Sequence, residues 1–253
     1  MLAVVLATLA APVLAASDPD EQWVRALIQR NLSAVERALG RGADANAAAP
    51  DGRTALMLAA GAGEASLARA LLAAGARVNA ANRRGGTALM YAVTGGDVAV
   101  VELLLSHGAA VNAQGANGWS ALMIAAARGR ADIARRLLAH GADGNASDIY
   151  GWTPLMRAVY ELRAPVVQTL LESGALNIDA IDEHGSTALH HAAAQGATEI
   201  ARLLMEGGAN PRRRDYTGRT PARVAAALGH RALAGLIERA AAASKAPGSG
   251  KIR

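Results

Sequence analysis

Four methionines, Met57, Met90, Met123 and Met156, stand 33 residues apart. Thioethers are soft copper ligands, so a metal ladder is the first chemistry to weigh. Equivalent atoms on successive packed helices lie ~10 Å apart, too far for shared ligation. Burial in a core is the better use of that spacing. His107 and His140 also hold equivalent places, again too distant for one ion, and His190 and His191 leave one helix in different directions. Zinc needs three or four convergent ligands, and this pattern supplies none. There is no Cys, which excludes disulfides, thiolate metal sites and thiol nucleophiles.

The terminal "GSGK" (Gly248–Lys251) lacks the first Gly of a phosphate loop, the Ser or Thr after Lys and a strand–helix setting. No Ser-His-Asp set or paired carboxylates stand out. The expectation is a chain that is not an enzyme and takes no metal or cofactor.

Arginines cluster at Arg83-Arg84, Arg135-Arg136 and Arg212-Arg213-Arg214, the last with Arg219 and Arg223 nearby, and the net charge is +5. Nucleic-acid binding asks for a continuous basic stripe with interleaved aromatics, and these clusters are separate. No nucleic acid is expected; a solvated face comes first, and an acidic protein or lipid head group second.

The elements behind these residues repeat. "GRTALMLAAG" begins at Gly52, "GGTALMYAVT" at Gly85, "GWSALMIAAA" at Gly118, "GWTPLMRAVY" at Gly151, "GSTALHHAAA" at Gly185 and "GRTPARVAAA" at Gly218. The intervals are 33, 33, 33, 34 and 33 residues. Each unit predicts a turn, a helix, a turn, a second helix and a loop. A hydroxyl stands at each first N-cap (Thr54, Thr87, Ser120, Thr153, Thr187, Thr220), where it can accept from first-turn amides. A Gly closes most first helices (Gly63, Gly96, Gly129, Gly196, Gly229), supplying a left-handed C-cap. Paired leucines such as Leu71-Leu72 and Leu104-Leu105 mark the second helix, and Asn46, Asn79, Asn112 and Asn145 follow it as short amides able to bond nearby backbone. A lone helix pair buries too little to be stable, so the units must stack into one continuous core.

The period, the "G-x-T-[AP]-L" opening and the "LL-x-x-GA-x-x-N" close resemble ankyrin repeats over residues 20–238. The resemblance implies an all-α solenoid of helix–turn–helix units with short β-hairpin-type loops. The expected organisation is a signal peptide at 1–16, a degenerate capping repeat at 17–50, five central repeats at 51–217, a capping repeat at 218–238 and a disordered basic tail at 239–253. His190 alone holds the place where the family's His ties adjacent loops, so the Met versions lean on packing.

The resemblance further implies a non-catalytic module that binds a protein along its concave face, at hairpin tips and inner-helix ends. Those places hold Arg83, Arg84, Trp119, Arg128, Tyr150, Trp152, Tyr160, Glu161, His184, Tyr216 and Arg219. Five of the chain's aromatic residues fall among them, in a sequence with three Trp, four Tyr and no Phe. Trp119, Tyr150, Trp152 and Tyr160 are expected to form one patch flanked by Arg128 and Glu161, either as binding anchors or as rings that cover neighbouring hairpins. In the same unit Leu162 replaces the closing Gly, Pro165 follows, and the loop is one residue longer with Asp179 at the Asn place. Because Leu resists φ > 0, this turn is expected to be rebuilt.

The leader "MLAVVLATLAAPVLAAS" has an apolar run and small residues at a cleavage site, with the terminal amine as its only positive charge. It is too short to span a bilayer, which takes ~20 apolar residues. A monomeric periplasmic or secreted protein with no transmembrane segment is the expectation. Similar bacterial proteins accompany envelope stress enzymes or neutralise delivered toxins. The alternative is an envelope-surface protein that uses its Arg clusters on acidic lipid or polymer.

Overall fold

A computed structural model describes residues 19–29, 31–174 and 176–243. The signal-peptide expectation lies outside them, as do the last residues of the tail.

Fourteen helices among the described residues form seven antiparallel pairs. The first pair is α1 (Pro19–Ile28) and α2 (Leu32–Leu39). Then come α3 (Ala55–Ala62) with α4 (Ala65–Ala73), and α5 (Ala88–Gly95) with α6 (Val98–Ser106). The middle pairs are α7 (Ala121–Arg128) with α8 (Ala131–Ala139), and α9 (Pro154–Tyr160) with α10 (Ala164–Glu172). The last are α11 (Ala188–Ala194) with α12 (Thr198–Glu206), and α13 (Pro221–Ala227) with α14 (Arg231–Ala243). From α3 onward inner helices pack on inner helices and outer on outer, giving a two-layer solenoid. Short helices suffice because each is buried by neighbours on both sides along the stack.

Local chemistry sets each helix start. Oγ1 of Thr54, Thr87 and Thr153 and Oγ of Ser120 accept from the amides of Met57, Met90, Met156 and Met123 at 3.3–3.4 Å. Loss of such a cap costs about 1 kcal/mol. Leu56, Leu89, Leu122, Leu155 and Leu189 line the core, and the four periodic methionines are buried beside them. Packing is therefore what the Met spacing serves. Trp23 is fully buried in the first pair, its indole donating to the Ala47 carbonyl at 2.9 Å.

The asparagines reach further than their own loops. Asn46, Asn79 and Asn112 each donate to a Gly carbonyl of the next unit (Gly75, Gly108, Gly141) at 3.0 Å. Their carbonyl oxygens accept the amides of Arg77, Ala110 and Asp143 at 2.7–2.8 Å. Thus each amide staples two repeats. Asp179, at the same place, accepts from the Asn210 amide at 2.9 Å but has no proton with which to make the second bond.

Two expectations are corrected. α14 runs on through Ala243, past Glu238, because the alanines that follow are good helix formers. The turn at Leu162 is not rebuilt: Leu162 itself adopts φ 55°, the only positive-φ residue other than Gly among those described. Long side chains press on the equivalent glycines, with Arg130 against Gly96, Arg163 against Gly129 and His230 against Gly196. At the corresponding place after Leu162 the chain has Ala197. A small neighbour leaves room for a side chain there, at a local cost of ~1–2 kcal/mol for the left-handed backbone.

Candidate functional site

The concave surface is built from the hairpin turns and the inner helices that follow them. Four of the five turns from the second full repeat onward are organised by the side chain of their first residue. Oδ1 of Asn82 accepts the amides of Arg84 and Gly86 at 2.9 Å. Oδ1 of Asp148 accepts those of Tyr150 and Trp152, at 2.9 and 3.0 Å. Asp182 does the same with His184 and Ser186, and Asp215 with Thr217 and Arg219, all at 2.9 Å. At the equivalent place Gly115 has no side chain to contribute.

The remaining polar atom of this residue turns towards the side chain nine positions later, on the inner helix. Asn82 donates to the Tyr91 hydroxyl at 3.0 Å. Oδ2 of Asp148 pairs with the Arg157 guanidinium. Oδ2 of Asp182 meets His191 Nε2 at 2.8 Å. Asp215 faces Val224 in that register and instead takes Arg219, four residues on, at 3.1 Å. All three carboxylates are buried.

Arg157 is the centre of the arrangement. Its guanidinium carbon lies 4.6 Å from the Trp119 ring centroid and 4.5 Å from that of Trp152, so one cation sits against indoles from two successive repeats. Such contacts gain ~2 kcal/mol or more when desolvated. Trp152 in turn lies 4.4 Å from His191 and meets Tyr160 edge-on at 5.2 Å. The result is a ladder, Trp119–Arg157–Trp152–His191, running across three repeats. Arg157 Nε is buried without a hydrogen-bond partner among the described residues, a cost of ~1–3 kcal/mol if nothing else offsets it.

Two hollows flank the ladder. A cleft of about 620 Å³ is lined by Tyr150, Trp152, Arg157, Tyr160, Glu183 and His184 and extends to Arg219. A smaller one, about 270 Å³, lies between Trp119, Arg84, Asn117 and Tyr91. Of the residues singled out by sequence, Trp152, Tyr150, Tyr160, His184 and Arg219 share the larger cleft, while Trp119 and Arg84 line the smaller. Tyr150 and Tyr160 are 49% and 52% exposed, and Tyr216, 71% exposed, sits on the turn at Gly185. Arg83 is exposed, its amide bonded to the Asp51 carbonyl. The expected flanking role of Arg128 and Glu161 is not met. Both are exposed at the ends of α7 and α9 and line neither hollow. The aromatic patch is real in a modified form: Trp119 and Trp152 are joined through Arg157, and Trp152 already has neighbours on Arg157 and His191.

Sequence reasoning missed Arg157, His191, Asp148 and Asp182. The available signal was an acceptor in the turn with a donor nine residues later. Burial lowers the basicity of His191, against the pull of Asp182, and burial likewise lowers His190. His190 Nε2 lies 3.1 Å from the Arg219 carbonyl and Nδ1 2.9 Å from Thr187 Oγ1, so it ties adjacent loops as expected. Burial would raise Asp215, but the Thr217 hydroxyl and the Arg219 amide and guanidinium outweigh it and hold the pKa at about 2.

The Arg clusters are spread over different surfaces and partly engaged within the chain. Arg136 pairs with Glu102 at 2.6 Å, Arg212 donates to the Ala241 carbonyl, and Arg214 donates to that of Gly218 at 2.6 Å. Among the described residues no group of three or more His, Asp or Glu is placed to hold a metal, and no helix is long and apolar enough to cross a membrane.

Stacked helix pairs with a grooved inner layer define a solenoid of the repeat-scaffold class. A family model described as "Ankyrin repeats (3 copies)" matches residues 23–115, 111–182 and 175–245, and the chain belongs to the ankyrin repeat family. It is similar to the human ASB11 ankyrin repeat domain, with 30% identity, a TM-score of 0.73 and coverage of 85% of this chain and 96% of that one. The ankyrin repeat domain of Bcl-3, described as a member of the IkappaB protein family, is 31% identical with a TM-score of 0.73, covering 86% and 97%. Calmodulin-binding transcription activator 4 of Arabidopsis thaliana is 38% identical over 72 residues, which span 26% of this chain and 7% of that protein. Ankyrin repeats are general protein–protein interaction modules, and the fold is generally a non-catalytic binding scaffold.

Proposed function

We propose that this chain is a non-catalytic, monomeric interaction module, exported to the periplasm, that holds a protein partner in the cleft beside Trp152. The single observation that carries the reading is the cleft's composition. Two half-exposed tyrosines stand on a floor of stacked indole and guanidinium, in a chain otherwise poor in aromatics. Tyr, Trp and Arg dominate binding energy at protein interfaces, and a floor that is already ordered spends little entropy on binding. An envelope enzyme that the chain accompanies, or a delivered toxin that it neutralises, suits such a module.

The test is capture of the partner from periplasmic extract by the whole protein and by Tyr150→Ala and Tyr160→Ala variants. Each exposed ring should cost about tenfold or more in affinity, ~1.4 kcal/mol, with the melting temperature unchanged in Tyr150→Ala and only slightly lower in Tyr160→Ala, which loses its edge contact with Trp152. Trp152→Ala is the weaker probe, since it also dismantles the ladder and should lower stability. Unchanged capture by both tyrosine variants moves the site to the Arg-rich last repeat. Survival of capture above ~0.15 M salt separates aromatic anchoring from charge-driven adhesion to lipid or polymer. For export, supported by the apolar leader and "VLA-AS", N-terminal sequencing should find a periplasmic chain that starts near residue 16. Intact Met1 on a cytoplasmic protein overturns that part.

A further inference from the structure

We infer that the cleft beside Trp152 accepts a cationic side chain, an arginine or lysine of the partner segment, against Tyr150, Tyr160 and Glu183. The inference rests on the cleft being the partner site and adds which chemistry it selects. The chain carries one worked instance of that chemistry: Arg157 lies between two indoles with a carboxylate, Asp148, as counter-ion. The neighbouring cleft presents the same kinds of group, aromatic rings and a carboxylate. There Tyr160 stands edge-on to Trp152 and half exposed, Tyr150 is half exposed on the hairpin tip, and the exposed Glu183 carboxylate has no hydrogen bond or ion pair among the described residues. Arg219, the other cation lining the cleft, is held by Asp215 at 3.1 Å.

Local charge agrees. With histidines counted as neutral, Arg157 and Arg219 face Asp148, Asp182, Glu183 and Asp215, an excess of two negative charges, in a chain whose net charge is +5. Asp182 is met by the His191 imidazole, whose basicity burial lowers. A cation desolvated against ring faces gains from their quadrupoles, and it gains again from an uncompensated carboxylate at low local dielectric. An acidic side chain would meet the same groups with the opposite sign.

The experiment titrates the whole protein with N-acetyl-argininamide, N-acetyl-lysinamide, the neutral N-acetyl-glutaminamide and N-acetyl-glutamate. Binding is followed by Trp fluorescence and by the indole and backbone amide NMR signals of residues 150–160 and 183–184. A saturable response to the arginine or lysine probe is expected, at least fivefold weaker in Glu183→Gln and in Tyr160→Ala, with Glu183→Gln melting as the parent does and Tyr160→Ala folded and only slightly less stable. Saturation by the glutamate or glutaminamide probe in preference to the cations overturns the inference. So does a cation response that both variants leave unchanged, and so does no saturable cation response at all. If partner capture is lost in Tyr160→Ala while no cation probe saturates, the cation inference falls and the partner site stands. If capture survives Tyr150→Ala and Tyr160→Ala, the site itself falls, and the inference with it.

Discussion

The two halves of the concave face solve one problem in different ways. In the earlier half, the place nine residues after the start of each turn holds Leu58, Tyr91 and Ile124, opposite Ala49, Asn82 and Gly115. In the later half it holds Arg157 and His191, opposite Asp148 and Asp182. Apolar faces small, hydroxyl faces amide, cation or imidazole faces carboxylate. The earlier half is also the closer packed: a Cβ on Gly95 would stand 2.5 Å from the Gly61 carbonyl oxygen, so α3 and α5 meet nearly backbone to backbone. The later half is propped open by large planar groups. The fold therefore fixes the turn but not its chemistry, and each buried turn carboxylate is answered by a basic group, from the inner helix for Asp148 and Asp182 and from the turn itself for Asp215.

The strongest way to break this comparison is to remove the answer. Asp148→Ala leaves the Arg157 charge between two indoles without a counter-ion and should cost ~3 kcal/mol or more in chemical denaturation. Asn82→Ala, at the equivalent place in the earlier half, should cost ~1 kcal/mol. Equal losses would show that the two halves are not different in kind. The double variant Asp148→Gly, Arg157→Ile copies the Gly115 and Ile124 pair and should regain most of the stability, since both buried charges leave together.

Acid should act next, through the buried imidazoles of the later half. His190 and His191 both titrate below the ordinary 6.5 because burial disfavours their charged forms. Below that value the unfolded chain binds more protons than the folded one. The stabilisation is therefore complete above pH ~6.5 and is lost as pH falls through the lowered values. Asp182, Asp215, Arg219 and His184 surround these rings, and Asp215 stays ionised in this window with its pKa at about 2. Melting temperatures at pH ~7.5 and ~5.5 should differ less in His190→Gln, His191→Gln than in the parent. An unchanged pH slope would remove the histidines from the account.

Smaller effects sharpen the contrast. Leu162→Gly should gain ~0.5–1 kcal/mol by relieving the left-handed backbone. Gly129→Leu should lose stability, because Arg163 Cδ lies 3.0 Å from where its Cβ would stand. If Leu162→Gly lowers stability instead, the side chain's packing outweighs its backbone cost. Least of all, Asp179→Asn should restore the missing staple to the next repeat, worth ~0.5–1 kcal/mol by thermal melts.

The periodic fold was legible because every repeat meets the same local demands. A hydroxyl at Thr54 or Thr153 caps a helix wherever it stands, a Gly such as Gly63 or Gly129 takes φ > 0 without a steric penalty, and stacking converts those local choices into one core. The crowding of Trp119, Tyr150, Trp152 and Tyr160 into two adjacent units was equally visible. Leu162 shows where local rules stop. Its own propensity argues for a rebuilt turn, yet Leu162 takes the left-handed conformation itself, in a register where the next repeat sets Ala197 in place of Arg130, Arg163 or His230. Arg157 makes the same point at the site. On one helix it reads as a solvated charge, and only the packing of two successive repeats puts Trp119 and Trp152 against it, with Asp148 at its edge. Propensity and spacing act along the chain, so sequence determined the solenoid. Desolvation and stacking depend on distances between residues far apart in sequence, so only the tertiary structure decided which of the planar groups became a ladder.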